Sequence, residues 1–294
     1  MAKVVGIDLG SNSFRASLYD CNSATIVASY EKTVKTAQGL GKSGVISQAA
    51  VTRIIEAIRQ MPKEFLDKPI KAVTTQALRS AKNSKVVLQQ IFDATGIEFE
   101  IIDAKKEAML TLEAVLHRMQ ILKIPIQPFV LIDIGGGSTE VVFYDKTQIA
   151  FKSFAIGIVT ATENGLSALE SEFAKMHAFI KDLHPQLMVA TAGTATTVAA
   201  LKKGYSYDTY EAKFINGTVV DTKDLDATLQ KLQTLDSHCL EKLVGILRGD
   251  LIITGIAIYQ KIFELFNMQS SLVIDDGLRE GIVLRYCQKL GTTY

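Results

Sequence analysis

The chain carries almost no net charge and has no long apolar run. Its 32 Lys and Arg residues stand against 31 Asp and Glu residues, a formal net charge of +1, so no overall field attracts nucleic acid or an anionic membrane. No segment approaches the roughly 18 apolar residues that a membrane span requires. The apolar stretch near the start is interrupted by Asp8, too early for a signal peptide. We therefore expect a cytoplasmic protein that binds neither nucleic acid nor a membrane, and any anion site must be local.

Cysteine is also scarce. The three cysteines, Cys21, Cys239 and Cys287, are odd in number and widely spaced. Disulfide frameworks and zinc sites both use cysteines in more regular, paired spacings. The sequence therefore predicts neither a disulfide framework nor a zinc site.

What the chain does have is an internal repeat of a short motif. Residues 5–14 (VGIDLGSNSF) match residues 130–139 (VLIDIGGGST), which places Asp133 125 residues after Asp8. In each copy an apolar run typical of a buried strand leads to the acidic residue, then to a Gly/Ser turn and a second apolar run. Each copy therefore predicts a β-hairpin whose small tip residues let backbone N–H groups approach a phosphate. The acidic residue would hold a divalent cation next to that phosphate.

Two such hairpins indicate two domains. The length of 294 residues agrees with domains of about 100–200 residues, and 48% hydrophobic residues suffice for two cores. We expect two similar domains that face each other across a phosphate-binding cleft. The alternative is that the repeat is only scaffold, since glycine at a tight turn is often structural. The acidic residue in both copies, together with the hydroxyls of Ser13 and Ser138, favours the functional interpretation.

The rest of the chain alternates between strand and helix patterns. A strand meander is expected over residues 4–36, and Pro125 and Pro128 flank the expected domain boundary. The other expected strands are 70–75, 98–102 and 187–191, and the expected helices begin near 47 or cover 82–95, 104–119 and 167–183.

Two further features bear on the anion site. Glu140 lies on the strand that leaves the second hairpin turn, and with Asp133 it could hold Mg²⁺, largely through waters. A third turn of glycine and hydroxyl residues, 192–196 (AGTAT), follows a predicted strand and opens a helix, where N–H groups and the helix dipole favour an anion. Alone, that turn is equally an ordinary helix cap. Because it is the third turn of its kind in the chain, the anion-site interpretation is favoured.

Taken together, these segments resemble one family. Residues 6–14, 132–140 and 192–196 are similar to the phosphate and nucleotide motifs of the exopolyphosphatase/guanosine pentaphosphate phosphohydrolase (Ppx/GppA) family, in the actin, sugar kinase and Hsp70 superfamily. Further matching segments are 38–40 (QGL), 77–79 (ALR), 248–255 and 277–281 (GLREG). The resemblance covers almost the entire chain, from Val4 to about Leu284. Longer members carry an extra C-terminal helical domain of HD type, and this chain is similar to the short, two-domain members.

The resemblance implies an α/β fold of two actin-like (ribonuclease H-like) domains, each a mixed sheet flanked by helices, with an interdomain cleft. Domain I would span residues 1–125 and domain II residues 126–279, with a C-terminal helix of about 280–294 packed back onto domain I.

The resemblance also assigns Glu107 as the general base. The family's Glu-Ala-Arg-Leu element stands here as residues 107–110 (EAML). Met109 replaces the usual Arg, a departure that bears on substrate preference more than on catalysis. Without the resemblance, Glu107 would be interpreted as an ordinary first-turn acid of a helix.

The implied activity is Mg²⁺-dependent hydrolysis of a phosphoanhydride bond. Catalysis of this reaction rests on neutralising charge and on positioning an in-line water. Glu107, Asp133 and Glu140 are the predicted catalytic residues, and Asp133, Glu140 and Asp8 are the predicted Mg²⁺ ligands. The predicted phosphate-binding residues are Ser11, Asn12, Ser13, Arg79, Gly135, Gly136, Gly137, Ser138, Gly193 and Thr194. Arg79 has the alternative role of a surface residue that caps a helix connection.

The expected reaction releases terminal orthophosphate from inorganic polyphosphate. The near alternative is hydrolysis of the 5′-γ-phosphate of guanosine pentaphosphate (pppGpp), because the same groups would serve it. A small-molecule kinase would share both hairpins, but no acceptor pocket is evident in the sequence. A non-enzymatic actin-like nucleotide sensor or filament subunit would usually have a longer chain. A homodimer is left open.

Overall fold

The computed structural model of this protein describes residues 3–246 and 248–291. The chain forms two compact units: unit 1 contains the residues up to Ala114 and those from Leu278 onward, and unit 2 is Val115–Gly277. The division falls inside the helix Ala104–Ile121. The sequence placed the boundary at residue 125, in the proline-containing loop that follows this helix, because a loop is the usual place for a boundary and a helix gives no signal of one.

The two units are built from the following elements. The strands are β1 Lys3–Leu9, β2 Ser13–Asp20, β3 Thr25–Thr33, β4 Ile70–Thr74, β5 Phe99–Ile101, β6 Phe129–Ile134, β7 Thr139–Asp145, β8 Gln148–Phe154, β9 Leu187–Thr191, β10 Thr218–Asp221 and β11 Ser270–Val273. The helices are α1 Leu40–Ser43, α2 Gln48–Arg59, α3 Lys63–Leu66, α4 Gln76–Ser80, α5 Ser84–Thr95, α6 Ala104–Ile121, α7 Ile158–Asn164, α8 Glu170–Ile180, α9 Ala192–Lys202, α10 Ala212–Ile215, α11 Thr222–Gln233, α12 Ser237–Val244, α13 Gly249–Phe266 and α14 Leu278–Lys289. Short 3₁₀ turns occur at Leu166–Leu169 and Tyr207–Thr209.

Both units contain a mixed sheet with the same plan. In the described part of unit 1 the strand order is β3-β2-β1-β4-β5; β1, β2 and β3 form an antiparallel meander, and β1, β4 and β5 are parallel. In unit 2 the order is β10-β11-β9-β6-β7-β8; β6, β7 and β8 form the meander, and β6, β9 and β11 are parallel. The α/β class and the two helix-flanked mixed sheets are thus as predicted.

Helix ends follow the local sequence. Ser47 precedes α2, and its hydroxyl accepts a hydrogen bond from the Ala50 amide at 3.3 Å, which satisfies one of the amides that a helix start leaves without an intrahelical partner. Gly96 ends α5 with a φ of 71°, a left-handed conformation that glycine adopts without steric cost. Both caps agree with the helix limits near residues 47 and 95 that the sequence predicts.

The C-terminal helix α14 packs against β1 and β2 of unit 1. Glycines allow α14 to approach β1 and α6 closely. A Cβ on Gly6 of β1 would lie 2.7 Å from Arg279 O of α14, and a Cβ on Gly281 of α14 would lie 2.1 Å from Leu110 O of α6. Glu280, 2% exposed, accepts hydrogen bonds from Ser17 Oγ and Arg279 Nε. The family resemblance implied a helix of about 280–294. The helix begins at Leu278, and residues 292–294 lie outside the described residues.

A disulfide joins Cys21 to Cys287, so the expectation that the cysteines form no disulfide is wrong. Cys21 directly follows β2 and Cys287 lies in α14, and their Cα atoms are 5.4 Å apart. They are separated by 266 residues, and an odd count with wide spacing gives no sign of a pairing that arises only when α14 returns to unit 1. Cys239 is an exposed free thiol.

The core of unit 2 is one large apolar cluster. It includes Val130 and Ile132 of β6, Phe173 of α8, and Ile256 and Tyr259 of α13.

No single helix in the described residues is long and apolar enough to cross a bilayer. Among those residues, only the bent pair α12–α13 reaches that length and apolar character, and only when its two helices are counted together.

Candidate functional site

Within unit 1, the predicted groups follow the three parallel strands. The hairpin tip follows β1, α4 with Arg79 follows β4, and α6 with Glu107 follows β5. Because parallel strands end at one edge of a sheet, these groups share the edge at which α/β sheets usually bind ligands.

The hairpin tip of unit 1 has its backbone fixed from one side. The carbonyl oxygens of Ser11 and Asn12 accept hydrogen bonds of 2.8–2.9 Å from amides within residues 34–37. In a trans peptide the N–H points opposite to the C=O, and no cis peptide occurs in the described residues. The amides of Asn12 and Ser13 are therefore directed away from residues 34–37, on one side of the tip, as an anion would require.

The side chains of this tip differ in their bonding. Ser11 is 5% exposed and its hydroxyl donates to Gln76 Oε1 at 3.3 Å, so it braces the tip against α4. Asn12 Oδ1 is shielded from solvent and has no hydrogen-bond partner among the described residues. A buried polar atom without a partner is costly. Because Oδ1 only accepts hydrogen bonds, it suits a cation or a donor group at this tip, and a phosphate oxygen would bind the Nδ2 group or the backbone amide of Asn12 instead.

Glu107 lies in the first turn of α6, with its side chain 13% exposed. Asp103 starts the helix, since its carboxylate accepts from the Lys106 amide at 2.7 Å. Arg79 Nη1 donates to Glu107 Oε2 at 3.2 Å and to Ile102 O at 2.7 Å. The ion pair with Arg79 was not foreseen; it fixes the carboxylate by a charge-assisted bond. Within the described part of the chain, Nε and Nη2 of Arg79 make no hydrogen bond, so one edge of the guanidinium remains for an anion.

The corresponding tip of unit 2 is held in the same manner. Gly135 O accepts from the Ile158 amide at 3.1 Å and Gly136 O from the Val159 amide at 2.8 Å. The amides of Gly136 and Gly137 are thereby turned away from α7, again on one side of the tip. As in unit 1, where the Gly10 amide donates to Ser13 O, the Gly135 amide closes the hairpin on Ser138 O.

Beside this tip, Glu140 is buried and already has partners. Asp133 of β6 lies opposite Glu140 of β7 in the strand register. Glu140 is 3% exposed, and its Oε1 accepts from Ser138 Oγ at 2.8 Å and from Ser153 Oγ at 2.7 Å. The Ser138 hydroxyl therefore gives its proton to Glu140, and only its lone pairs and its backbone remain for a ligand.

The third turn begins α9, directly after β9. Ala192 has a φ of 65°, a left-handed conformation that is uncommon for a residue with a Cβ and marks a constrained turn. Thr194 is 2% exposed, and a Cβ on Gly255 of α13 would lie 2.3 Å from its hydroxyl. The Thr194 side chain thus packs on α13, and the part of Gly193 and Thr194 suited to a phosphate is the helix N-terminal backbone.

A charged network that the sequence did not reveal lies at the end of β11, beside this turn. Arg118 binds Asp276 through two hydrogen bonds of 2.7 and 3.0 Å, and Asn216 Nδ2 donates to the same carboxylate at 3.0 Å. The Thr191 hydroxyl donates to Asp276 O at 3.1 Å, which ties the network to the start of α9. Burial lowers the pKa of the adjacent His117, while the Asp276 charge opposes this shift. The signal that the sequence offered for this network is the acidic pair Asp275 and Asp276, directly before the 277–281 segment.

A magnesium ion would have to be held by few protein groups. Among the described residues, no three His, Cys, Asp or Glu side chains form a metal-binding group. Mg²⁺ usually takes one or two carboxylates and completes its shell with water and phosphate oxygens. Asp133, partly exposed at the tip of unit 2, fits that requirement; Glu140, bound to two hydroxyls, fits a contact through water better than a direct one.

Known proteins are similar in sequence to this chain over most of its length. It is 28% identical to a Haemophilus influenzae protein provisionally named an exopolyphosphatase, over 96% of this chain and 90% of that protein. It is 24% identical to the guanosine-5′-triphosphate,3′-diphosphate pyrophosphatase of Photobacterium profundum, over 97% of this chain but 59% of that protein.

Solved structures share the fold. The Aquifex aeolicus member of the Ppx/GppA protein family is 25% identical, covers 98% of each chain and has a TM-score of 0.72. An exopolyphosphatase from Cytophaga hutchinsonii is 20% identical, covers 99% of this chain and 100% of that chain, and has a TM-score of 0.83. The family model described as the Ppx/GppA phosphatase family matches residues 18–290, and the chain belongs to that family.

Proposed function

We propose that this protein hydrolyses phosphoanhydride bonds and releases terminal orthophosphate from inorganic polyphosphate. The observation that supports this most is the repeated construction of the two tips, in which backbone amides are turned to one side by hydrogen bonds to their carbonyls. Family membership and the named activity of the Haemophilus influenzae relative agree with the proposal.

Substrate binding is assigned to the two tips and to Arg79. The amides of Asn12 and Ser13 in unit 1, and of Gly136 and Gly137 in unit 2, would donate to phosphate oxygens. The Nε and Nη2 edge of Arg79 would bind a phosphate bidentately while Nη1 remains on Glu107. The α9 N-terminus at Gly193 and Thr194 would add further amides.

The chemical step is assigned to Glu107. Its carboxylate accepts a proton from a water molecule as the water oxygen attacks the terminal phosphorus. The bond from that phosphorus to the bridging oxygen breaks, and the bridging oxygen leaves with the electron pair as the new chain end. A positioned general base contributes about 10²–10⁴-fold, and the fixed geometry from Arg79 and the capped helix start would keep the carboxylate in place.

In unit 2, Asp133 would hold Mg²⁺ directly and Glu140 would hold it through water. In unit 1, Asp8 is the proposed Mg²⁺ ligand. The ion, when bound, would supply neutralisation of charge on the terminal phosphates. The proposed location is the cytoplasm, where we expect the Cys21–Cys287 disulfide to be reduced because disulfides are rare there.

The test is orthophosphate release from polyphosphate by the wild type, Glu107→Gln and Glu113→Gln. Glu113 is the matched control because it lies in the same helix and also pairs with an arginine, Arg285, at 2.6 Å. We expect Glu107→Gln to lose about 10²–10⁴-fold in kcat. Glu113→Gln should stay within about threefold of the wild type, because an exposed ion pair contributes little to stability and Glu113 has no part in the proposed chemical step. A wild type that releases no phosphate would reject the proposed function.

The second candidate substrate is pppGpp. It is favoured by the names of the Photobacterium profundum relative and of an Aliivibrio fischeri relative that is 24% identical, although the chain spans only 59% and 57% of their lengths. The same assay with pppGpp distinguishes the candidates by the ratio of the two kcat/KM values. Sedimentation equilibrium would show whether a homodimer forms.

A further inference from the structure

We propose that Arg53 is a positioning residue for substrate phosphate at the unit 1 tip. The proposal deepens the proposed function, because it concerns how that same tip binds polyphosphate. Arg53 lies in α2, outside every motif that the sequence singled out, and acts through residues 34–38.

Arg53 holds the backbone of a segment that has no regular structure. Its Nε donates to Val34 O at 2.7 Å, and its Nη2 donates to Lys35 O at 3.3 Å and to Gln38 Oε1 at 3.2 Å. The planar guanidinium offers these donors in a fixed arrangement, which a lysine ammonium cannot reproduce. One side chain therefore sets the positions of two consecutive carbonyl groups.

The segment needs this support. Lys35 has a φ of 48°, in the left-handed region that residues with a Cβ rarely adopt unless their surroundings impose it. Thr36 is fully buried, yet its hydroxyl has no hydrogen-bond partner among the described residues, so that side chain does not hold the segment by a polar contact. Arg53 supplies a constraint instead, because it binds the Val34 carbonyl before the Lys35 Cα and the Lys35 carbonyl after it.

The supported segment in turn holds the tip. The amides of Val34 and Lys35 both donate to Asn12 O at 2.9 Å, and the Ala37 amide donates to Ser11 O at 2.8 Å. These bonds fix the direction of the Ser11 and Asn12 carbonyls. Because each peptide is planar and trans, they also fix the direction of the next two amides, the proposed phosphate donors.

Loss of Arg53 should therefore affect substrate binding more than the chemical step. The carbonyls of Val34 and Lys35 would lose their donors, the left-handed Lys35 would relax, and the two tip amides would lose their common direction. Glu107 is held by Asp103 and Arg79, and the hydrogen bonds that Arg53 makes within the described residues go to Val34, Lys35 and Gln38 instead. We expect a raised KM and little change in kcat.

The experiment compares Arg53→Gln, Arg53→Lys and Arg59→Gln. Arg59 is the matched control, since it lies in the same helix and also donates to a backbone carbonyl, Ala94 O, at 3.4 Å. It is exposed, and among the described residues it makes no hydrogen bond to residues 34–38. Arg53→Gln should raise the KM for polyphosphate by about tenfold to a hundredfold, the scale of one lost hydrogen bond to a charged group, with kcat within about threefold. Arg53→Lys should recover part of the affinity, and Arg59→Gln should match the wild type.

Binding of inorganic tripolyphosphate, measured by calorimetry, gives a readout that does not depend on turnover. A larger Kd for Arg53→Gln than for Arg59→Gln supports the proposal, even if the wild type proves to be inactive on polyphosphate. Equal KM and Kd values in these two variants, or an effect on kcat alone, would overturn it. If Arg53→Gln does not fold by circular dichroism, Arg53→Lys decides: an unchanged KM and Kd overturn the proposal, and raised values support it.

Discussion

Gly157 provides a direct test of how the unit 2 tip is positioned. It precedes α7 with φ −116° and ψ 143°, an extended conformation that alanine adopts equally well. A Cβ at this position would lie 2.4 Å from both Cα and C of Gly137 and 2.5 Å from Gly136 O. The substitution Gly157→Ala therefore leaves the local backbone preference intact and acts through a steric clash with the tip.

The size of the effect can be estimated from these distances. Ordinary contacts of a Cβ begin at 3.4 Å, so the tip and α7 must separate by about 1 Å. No side chain can rotate to relieve the clash, because the atoms that meet the new methyl group are backbone atoms. Separation also stretches the bonds from the Ile158 and Val159 amides that orient the tip. A misplacement of this size costs on the order of 10²-fold in rate, and overpacking typically costs about 1–3 kcal/mol of stability.

The assay is the kcat/KM for orthophosphate release from polyphosphate, together with the free energy of unfolding from urea titration. Gly41→Ala is the control, because its new methyl group would meet no atom of the described residues within 4 Å beyond its own chain neighbours, and its backbone is not left-handed. We expect Gly157→Ala to lose about 10²-fold in kcat/KM while Gly41→Ala keeps wild-type activity. A folded Gly157→Ala protein with wild-type kcat/KM would refute the assigned role of the tip.

Three other outcomes test separate parts of the structure. Cys287→Ser removes the disulfide to Cys21 and should lower the free energy of unfolding of the oxidised protein by about 2–5 kcal/mol. Cys239→Ser removes an exposed thiol and should leave that free energy unchanged. Equal urea midpoints for the two variants would contradict the pairing. Asp276→Ala should cost about 3–5 kcal/mol because Arg118, whose side chain is 21% exposed, loses its carboxylate partner; a loss below about 1 kcal/mol would mean that the pair behaves as a surface ion pair. Chelation of divalent cations should stop orthophosphate release and added Mg²⁺ should restore it; turnover that persists in the chelator would reject the metal.

Elements defined by local signals were predictable from the sequence. The strand over residues 187–191 has the expected limits, since five consecutive residues are largely apolar and the following glycine turn ends the run. Ser47 and Gly96 marked the ends of their helices through capping chemistry that involves only neighbouring residues. The helix expected over 167–183 is shorter, Glu170–Ile180, and is preceded by a 3₁₀ turn, because its limits lack such caps.

Contacts between distant segments were not predictable. The pairing of Cys21 with Cys287 and the ion pair of Arg79 with Glu107 depend on how separate elements meet, which no spacing in a single sequence expresses. The orientation of Thr194 is of the same kind: the sequence offered a hydroxyl at a helix start, and packing against α13 determines where that hydroxyl lies. The sequence and its family resemblance name candidate residues, which stay predictions, whereas the hydrogen-bond partners of those residues required the structure.

In the proposed reaction, water attacks the terminal phosphorus with Glu107 as the base, and isotope incorporation tests this step most directly. Hydrolysis of polyphosphate in ¹⁸O-enriched water should place one solvent oxygen in each released orthophosphate, as seen by mass spectrometry, and Glu107→Gln should slow the appearance of this label by about 10²–10⁴-fold. Orthophosphate without solvent oxygen, or a labelling rate in Glu107→Gln equal to that of the wild type, would contradict the account.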